Sequence, residues 1–472
     1  MADAAALKLA GFAAALRFEA LPADVIDAAR RHLLDTVGVA IRGRAHPHAV
    51  SSLRAMDAVD GATGAVAVWG SDRGLSTNYA ALVNGVACHV LEFDDTHTDA
   101  IVHGSAIIAP VVLALGEQQK ASGADLIAAF VAGWEVAARV GLASRGTFHA
   151  RGFHTTSIAG VFGASAAAAR LLGLSPERTA HALGLAGSQA SGINEYLSNS
   201  SSAKCVHTGW SAHAGIIAAT MARAGMTGPM MVFEGRDGLL RTYGERDDAD
   251  VDALASGLGT RWETTQVSIK PYPCCHFAHA FIDCVGTLAN RGLKASNVVS
   301  LECVVPQTEV ALICEPRAGK LKPETTYAAK FSLPFLLAAK LVDGIIGHHT
   351  FEDENLARQE LLDIAARVTY RIASADETPF PKTFPGWVEA TLTDGRRLVE
   401  RLDVNAGHPD NPLSMEDVRA KFASNTVSAM GDGGAQRLAA LIMALPETSA
   451  ADLAGSLSST PSSVPQFKRK TS

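Results

Sequence analysis

Acidic and histidine side chains are concentrated in one short segment of the chain. Residues 92–105 contain four carboxylates and two histidines, and no lysine or arginine occurs between Arg73 and Lys120. Carboxylates without a nearby cation must meet a metal, a proton, water or a cation from elsewhere in the fold. The segment therefore predicts a catalytic loop that supplies a general acid or base. A site for a hard metal ion and a solvated loop between helices are the alternatives.

A lone lysine marks a second segment. Between residues 179 and 222 only Glu195 and Lys204 are charged, and Lys204 stands between a Ser/Asn-rich run and an apolar stretch typical of a helix. An ammonium group in such surroundings is costly unless it meets an anion or loses its proton. The free amides of a helix N-terminus would also favour an anion here. A surface lysine on a turn is the alternative.

A third candidate segment is residues 267–276, VSIKPYPCCH. Its two prolines restrict the backbone, so we expect Lys270 and Tyr272 to be held in place. Cys274 and Cys275 are adjacent and lack the spacing of zinc or iron–sulfur ligands, which favours two buried apolar side chains. An ordinary interdomain linker is the alternative.

Together these segments suggest one pocket with two lysines, several histidines and at least one carboxylate. Fixed cations bind carboxylates and stabilise the charge that builds on them when a neighbouring carbon loses a proton. A histidine or an acid can carry that proton. The composition of the pocket suits elimination, decarboxylation or epimerisation of a small polycarboxylic acid. The sequence contains no dinucleotide-binding, phosphate-loop or nucleophile-elbow motif.

The elements that must position these residues change in character along the chain. Residues 1–265 are predicted to be helical and rich in small side chains, residues 266–405 to form a smaller α+β unit, and residues 406–455 to be helical again. The simplest arrangement is an α+β unit inserted into a helical one. Residues 456–472 are Ser/Pro-rich and then basic, so we expect them to be disordered.

Within the α+β unit, β-branched runs predict strands and an Asp-Gly pair predicts a hairpin turn. The expected elements are strands at 298–305, 368–372, 387–393 and 397–404 and a helix at 327–341.

Composition excludes several classes of protein. Of 472 residues, 48% are hydrophobic and 19% charged, which is typical of a globular protein with a large core. A net charge of −7 disfavours binding to nucleic acid or to an anionic membrane. No run of about 18 uncharged apolar residues occurs, so we expect no membrane span. Seven cysteines, an odd number, do not suggest a disulfide framework, and they predict a cytoplasmic protein.

Motifs spread along the chain resemble those of the MmgE/PrpD family, which includes 2-methylcitrate dehydratase, cis-aconitate decarboxylase and iminodisuccinate epimerase. The similar stretches cover nearly the whole chain in order: LLDTVGVA (33–40), NYAALVNGVACHVLEFDDTH (78–97), HGSAIIAPVVLAL (103–115), FHTTSIAGVFGASAAAARLLGLS (153–175), AKCVHTGWSAHAG (203–215), IKPYPCCHFAH (269–279) and GHPDNPLSMEDVRAKF (407–422).

The resemblance implies a mainly α fold, with a large all-helical domain built from both chain ends and an inserted smaller α+β lid domain. It also implies a homodimer, no metal and no organic cofactor. From the resemblance and the motifs together we expect catalytic roles for Glu92, Asp94, His103, His154, Lys204 and Lys270. Substrate-binding roles are expected for Thr96, His97, His207, Tyr272 and His276.

Two positions depart from the pattern of the family. Glu92 replaces the usual first aspartate of its D-F-D-D-T motif, and Cys275 stands where decarboxylases have a histidine. Both departures argue against a decarboxylase, and neither selects between a dehydratase and an epimerase. The leading hypothesis is a cofactor-independent lyase of the 2-methylcitrate dehydratase type, acting on a small hydroxylated di- or tricarboxylate. The alternatives are a dicarboxylate epimerase, a cis-aconitate-type decarboxylase and a non-catalytic polycarboxylate-binding protein.

Overall fold

The computed structural model describes residues 4–61, 64–198, 201–245, 248–374, 376–380 and 383–458. Helices make up 59% of the structure and strands 9%, which confirms a mainly α fold with a small sheet.

Within these described residues, twenty α-helices follow one another. They are α1 (Ala5–Ala15), α2 (Ala23–Gly43), α3 (Pro47–Asp60), α4 (Thr77–His89), α5 (Ser105–Gln119), α6 (Gly123–Ala143), α7 (Thr147–Ala150), α8 (Thr155–Leu171), α9 (Pro176–Gly187), α10 (Ala203–Arg223), α11 (Leu239–Thr242), α12 (His279–Asn290), α13 (Gln307–Ile313), α14 (Arg317–Leu321), α15 (Thr326–Ala329), α16 (Leu333–Asp343), α17 (Asp353–Leu356), α18 (Gln359–Ala365), α19 (Met415–Met443) and α20 (Ala450–Leu457).

The strands are short, and six lie in the described residues. They are β1 (Val66–Ala67), β2 (Gly74–Leu75), β3 (Val298–Val305), β4 (Val368–Ile372), β5 (Gly386–Leu392) and β6 (Arg397–Leu402).

The chain divides into two compact units. The larger unit comprises residues up to 267 and from 414 onward, and the smaller unit comprises residues 268–413. The second boundary lies eight residues beyond the position predicted near 405. The reason is that the segment after β6 folds back within the smaller unit, where Ile269 N donates to Gly407 O over 3.0 Å and Gly407 N donates to Asn411 O over 2.9 Å.

Small residues let the helices of the larger unit pack closely around α8. A Cβ on Gly85 of α4 would lie 2.8 Å from the Cα of Gly209 on α10, and one on Gly209 would overlap the carbonyl of Leu82. Glycine at both positions therefore lets the backbones of α4 and α10 touch. The contact brings the C-terminal end of α4 and the N-terminal end of α10 into the same part of the unit.

Longer polar side chains also fix the larger unit from within. Glu135 of α6 accepts hydrogen bonds from the backbone N of Glu263 (3.1 Å) and Thr264 (2.9 Å), and its carboxylate pairs with Arg139. Helix α6 is long and apolar enough to cross a membrane, by length and composition only. Its apolar stretch is 94% buried inside the protein, as in the core helix of a globular fold.

The smaller unit is built around a four-stranded sheet in the order β4-β3-β5-β6. Strand β3 pairs in parallel with β4 and antiparallel with β5, and β5 pairs antiparallel with β6. The predicted hairpin between β5 and β6 is confirmed, with Gly395 at φ 83° in the turn. Helices α12 and α16 bury apolar side chains against the sheet, including Phe281, Leu288 and Phe335.

Two local predictions were wrong in detail. The helix predicted over 327–341 is two helices, because the chain breaks after Ala329 and Ser332 caps α16 by accepting a hydrogen bond from Phe335 N over 3.1 Å. Ser456 and Leu457, predicted to be disordered, lie in the last turn of α20, and Ser458 follows directly as its C-cap. The rest of the predicted tail, 459–472, lies outside the described residues.

Candidate active site

The acidic segment follows α4 as a loop that is almost entirely buried. Glu92, Asp94, Asp95 and His97 are each at most 2% exposed, and only Asp99 faces solvent. Glu92 has φ 58°, a left-handed conformation that glutamate seldom adopts. The alternative of a solvated loop is therefore excluded. The buried carboxylates form ion pairs and hydrogen bonds with residues outside the loop.

Lys204 supplies the cation for Glu92. It lies in the first turn of α10, and its Nζ is 2.6 Å from Oε1 and 2.5 Å from Oε2 of Glu92. Burial is the largest single influence and lowers the pKa of Lys204, but Glu92, Tyr196 and Asp94 together outweigh it and raise that pKa above its usual value. The ammonium group therefore stays charged. The alternative of a surface lysine is wrong, since Lys204 is 6% exposed.

Asp94 lies between two histidines. His89 Nδ1 donates to Asp94 Oδ2 over 2.7 Å, and His103 Nδ1 lies 3.6 Å from the same oxygen. His103 Nδ1 is also 2.9 Å from the carbonyl of Asp95 and 3.0 Å from Thr96 Oγ1. A carbonyl oxygen can only accept, so the proton of neutral His103 is on Nδ1 and its Nε2 is the basic nitrogen.

A second pair of histidines lies beside the first. His154 immediately precedes α8, and its Nδ1 is 3.0 Å from Nδ1 of His207 on α10, so one ring donates to the other. Burial lowers the pKa of both imidazoles, and His89 and Lys204 lower it further. The pKa of His207 falls to about 4 and that of His154 well below its ordinary value. Both rings are therefore neutral at pH 7.

The two pairs form one cluster of imidazoles. The ring centroid of His89 is 5.1 Å from that of His103 and 5.7 Å from that of His154, and His103 and His154 are 6.4 Å apart. Tyr196 borders the cluster with its ring 6.0 Å from His154. The structure thus brings together seven of the predicted site residues of the larger unit: Glu92, Asp94, Thr96, His103, His154, Lys204 and His207.

His97 is the predicted site residue of this unit that lies elsewhere. Its Nε2 donates to Glu263 Oε2 over 3.1 Å, and its Nδ1 accepts from Ala100 N over 3.2 Å. Arg261 binds the other carboxylate oxygen of Glu263. Because both ring nitrogens of His97 are used, neither is left to bind a substrate. His97 is of a residue type that could bind a substrate, but at this position it attaches the loop to Glu263 in the same unit.

Three predicted site residues belong to the smaller unit. Lys270 is 1% exposed, in an extended segment after Ser268. Tyr272 donates its hydroxyl to Asp283 Oδ1 over 2.6 Å, and burial with this carboxylate raises the pKa of the phenol. His276 Nε2 lies 2.9 Å from Asn405 Nδ2. These contacts anchor the Pro-rich segment, which is consistent with the expected rigidity of Lys270.

The metal alternative gains no support from the geometry. Across the six described ranges, no group of three or more His, Cys, Asp or Glu side chains is arranged to hold a metal ion. Asp95 instead binds Ser105 Oγ over 2.5 Å and lies 2.9 Å from His32 Nδ1.

Three residues in or near the site were not predicted from sequence. His89 and Tyr196 reach the site only through the fold, although both stand in or near quoted motifs. Lys421 comes from α19 and donates to the carbonyl of Phe93 over 2.8 Å. A buried lysine in a helix of mixed polar and apolar residues is hard to recognise from the sequence, because only the tertiary structure shows which face of α19 is covered.

Partial burial of a neutral His207 predicts a pH dependence of the protein's stability. Its pKa is about 4 in the folded protein against an ordinary 6.5, so between these values the unfolded chain binds a proton that the folded protein does not. The unfolding free energy that depends on a neutral His207 is fully present above pH 6.5, and it is lost as the pH falls towards 4. We expect His207 to contribute about 2–3 kcal/mol to the loss of unfolding free energy between pH 7.5 and 4.5.

Denaturant unfolding of the wild type and His207→Gln at both pH values measures this contribution. The variant should lose less stability on acidification than the wild type does. Equal losses in the two proteins would contradict a neutral, half-buried His207.

Comparison with known proteins places the chain in a family. A model of the MmgE/PrpD N-terminal domain matches residues 7–252, and a model of the MmgE/PrpD C-terminal domain matches residues 272–447. Similar curated proteins are the cis-aconitate decarboxylases of Aspergillus terreus (27% identical over 453 residues, 92% of this chain and 91% of that protein), Mus musculus (28% over 424 residues, 88% and 85%) and Homo sapiens (29% over 414 residues, 85% and 83%). The chain belongs to the MmgE/PrpD family.

Proposed function

We propose that this protein is a lyase of the 2-methylcitrate dehydratase type that eliminates water from a small hydroxylated di- or tricarboxylate. The observation that carries the proposal is the presence of two chemically different histidine pairs beside a charged lysine. His103 lies 3.6 Å from the Asp94 carboxylate, whereas His154 is hydrogen-bonded to the neutral imidazole of His207. Elimination of water needs two such groups, a base for the carbon-bound proton and an acid for the leaving hydroxyl.

In this mechanism His103 takes the proton from the carbon next to a substrate carboxylate. Its Nδ1–H is held by the Asp95 carbonyl, so Nε2 is the accepting atom, and Asp94 stabilises the imidazolium that forms. Lys204 stabilises the negative charge that builds on the substrate carboxylate. The His154–His207 pair is neutral in the free protein, and in this mechanism it binds a proton together with the substrate carboxylates. The pair delivers that proton to the hydroxyl as the carbon–oxygen bond breaks, which yields water and an alkene and returns the pair to its neutral form.

Decarboxylation is the second candidate, because the similar curated proteins are named cis-aconitate decarboxylases. In that reaction a carbon–carbon bond breaks to release CO₂, and the electron pair left behind is stabilised by a conjugated carboxylate and then protonated. The reaction needs one proton donor and the same cation. Glu92, at the position of the family's aspartate, argues for a substrate or a reaction different from that of these relatives.

We further propose that the protein acts as a cytoplasmic homodimer with no metal or organic cofactor. The cysteine content and the family resemblance support these properties. Sedimentation of the purified protein tests the dimer, and a mass of one chain, 49.2 kDa, would contradict it.

Proton NMR in D₂O distinguishes the reactions. Purified protein is incubated with citrate, 2-methylcitrate, cis-aconitate and iminodisuccinate, with Lys204→Met as the control protein. A new alkene from a hydroxylated substrate, without CO₂, supports the dehydratase. CO₂ together with deuterium in a shortened product identifies a decarboxylase, and deuterium in recovered, inverted substrate identifies an epimerase. Saturable binding with no turnover of any compound would overturn the proposal of an enzyme.

A further inference from the structure

Lys421 is a buried cation in the larger unit to which the proposed mechanism gives no role. It lies on α19, is 8% exposed and donates to the carbonyl oxygen of Phe93 over 2.8 Å. Its Nζ is also 2.7 Å from Asp35 Oδ1 and 3.8 Å from the centroid of the Phe93 ring. One ammonium group therefore holds both the main chain and the side chain of Phe93.

The position of Phe93 matters because Glu92 precedes it in a strained conformation. Residues other than glycine keep a left-handed backbone only where the surrounding structure imposes it. Glu92 is held on its N-terminal side by a hydrogen bond from its own N to His89 O over 3.2 Å. On its C-terminal side, the contact of Lys421 with the Phe93 carbonyl fixes the following peptide.

Burying the Asp35–Lys421 ion pair costs desolvation free energy. Asp35 is 1% exposed, and burial raises its pKa to about 6 even though Lys421 opposes the rise. Asp95 and His32 are the other charged or titratable groups that act on Asp35. Buried ion pairs can often be replaced by apolar side chains without loss of stability. We therefore look to a role other than stabilising the fold to explain why this ion pair is buried.

We propose that Lys421 is a positioning residue that holds the carboxylate of Glu92 against Lys204. It acts through the Phe93 carbonyl and the strained backbone of Glu92, and it does not touch the substrate. Asp35 in turn fixes and neutralises the Lys421 ammonium. The proposal rests on the proposed function only in that Lys204, which Glu92 holds, stabilises the charge on the substrate.

A double-mutant cycle between Lys421 and Glu92 tests the proposal. We expect Lys421→Met to lower kcat about 10- to 100-fold, since small misplacements of catalytic groups have effects of this size. In the Glu92→Gln background the same substitution should have almost no further effect, because its target is already gone. Lys421→Arg should recover part of the activity. Effects of Lys421→Met that multiply with those of Glu92→Gln would show a merely structural role and overturn the proposal.

A second measurement does not depend on any activity. A crystal structure of Lys421→Met, with Asp35→Asn added if the single variant does not fold, should show Glu92 out of its left-handed conformation and its carboxylate withdrawn from Lys204. An unchanged Glu92–Lys204 contact would overturn the proposal. If the wild type turns over no polycarboxylate, this structure still decides the role of Lys421, so the two proposals fail separately.

Discussion

His154→Asn should lower kcat/KM about 10²- to 10⁴-fold, the range found when a general acid or base is removed. His154 is a neutral imidazole bonded to His207 over 3.0 Å, and asparagine cannot carry a proton between the substrate and this partner. His103→Asn should have an effect of similar size, because it removes the ring whose proton position is fixed by the Asp95 carbonyl. Steady-state kinetics on the substrate found by NMR measures both.

His48→Asn is the matched control for this pair of variants, because His48 is exposed on α3 and lies outside the cluster. It should keep the activity of the wild type. Melting curves of all three variants separate loss of chemistry from loss of fold. Turnover by His154→Asn within a few-fold of the wild type would remove His154 from the mechanism and leave the second proton to another group.

Lys204→Met should lower kcat/KM about 30- to 1,000-fold, because it removes a charge-assisted contact made as negative charge develops. The structure adds a second effect. Glu92 is 2% exposed, and without its cation a buried carboxylate is left uncompensated. We therefore expect the variant to lose about 3–5 kcal/mol of stability as well, or to bind a proton on Glu92.

Removing both charges separates the two effects. The double variant Glu92→Gln/Lys204→Met should recover most of the stability, because no lone charge remains buried, while its activity stays low. Lys8→Met, at an exposed position on α1, serves as the control for the loss of a positive charge. A single variant that both melts and turns over as the wild type does would show that the Lys204–Glu92 pair is not part of the reacting site.

Local patterns predicted the elements of the smaller unit well. The strands at 298–305 and 368–372 lie where their β-branched runs stand, and the Asp394-Gly395 turn joins β5 and β6. Such signals depend on neighbouring residues. The break between α15 and α16 was missed because it depends on one capping serine, Ser332, inside a mostly apolar stretch.

The role of an individual residue was harder to predict from sequence than the segment in which the site lies. Asp95 and His97 are of the residue types that a catalytic loop uses, yet both bind other side chains of the protein. Asp95 contacts Ser105 and His32, and His97 contacts Glu263. Lys421 stands 328 residues after the carbonyl it binds, a separation that no local pattern reports. The family resemblance predicted Lys204 and His154, but the pairing of Glu92 with Lys204 required the fold.

The larger unit takes its helices from both ends of the chain, and this has a consequence for synthesis on the ribosome. Helix α19 packs along α2, and Lys421 reaches Asp35 there, so the first 267 residues emerge long before the surface that covers them. Until residues 414–458 follow, the growing chain exposes apolar side chains of α2 that are buried in the folded protein, and such surfaces promote aggregation. The loop that carries Glu92 can reach its strained conformation only after nearly the whole chain has been made.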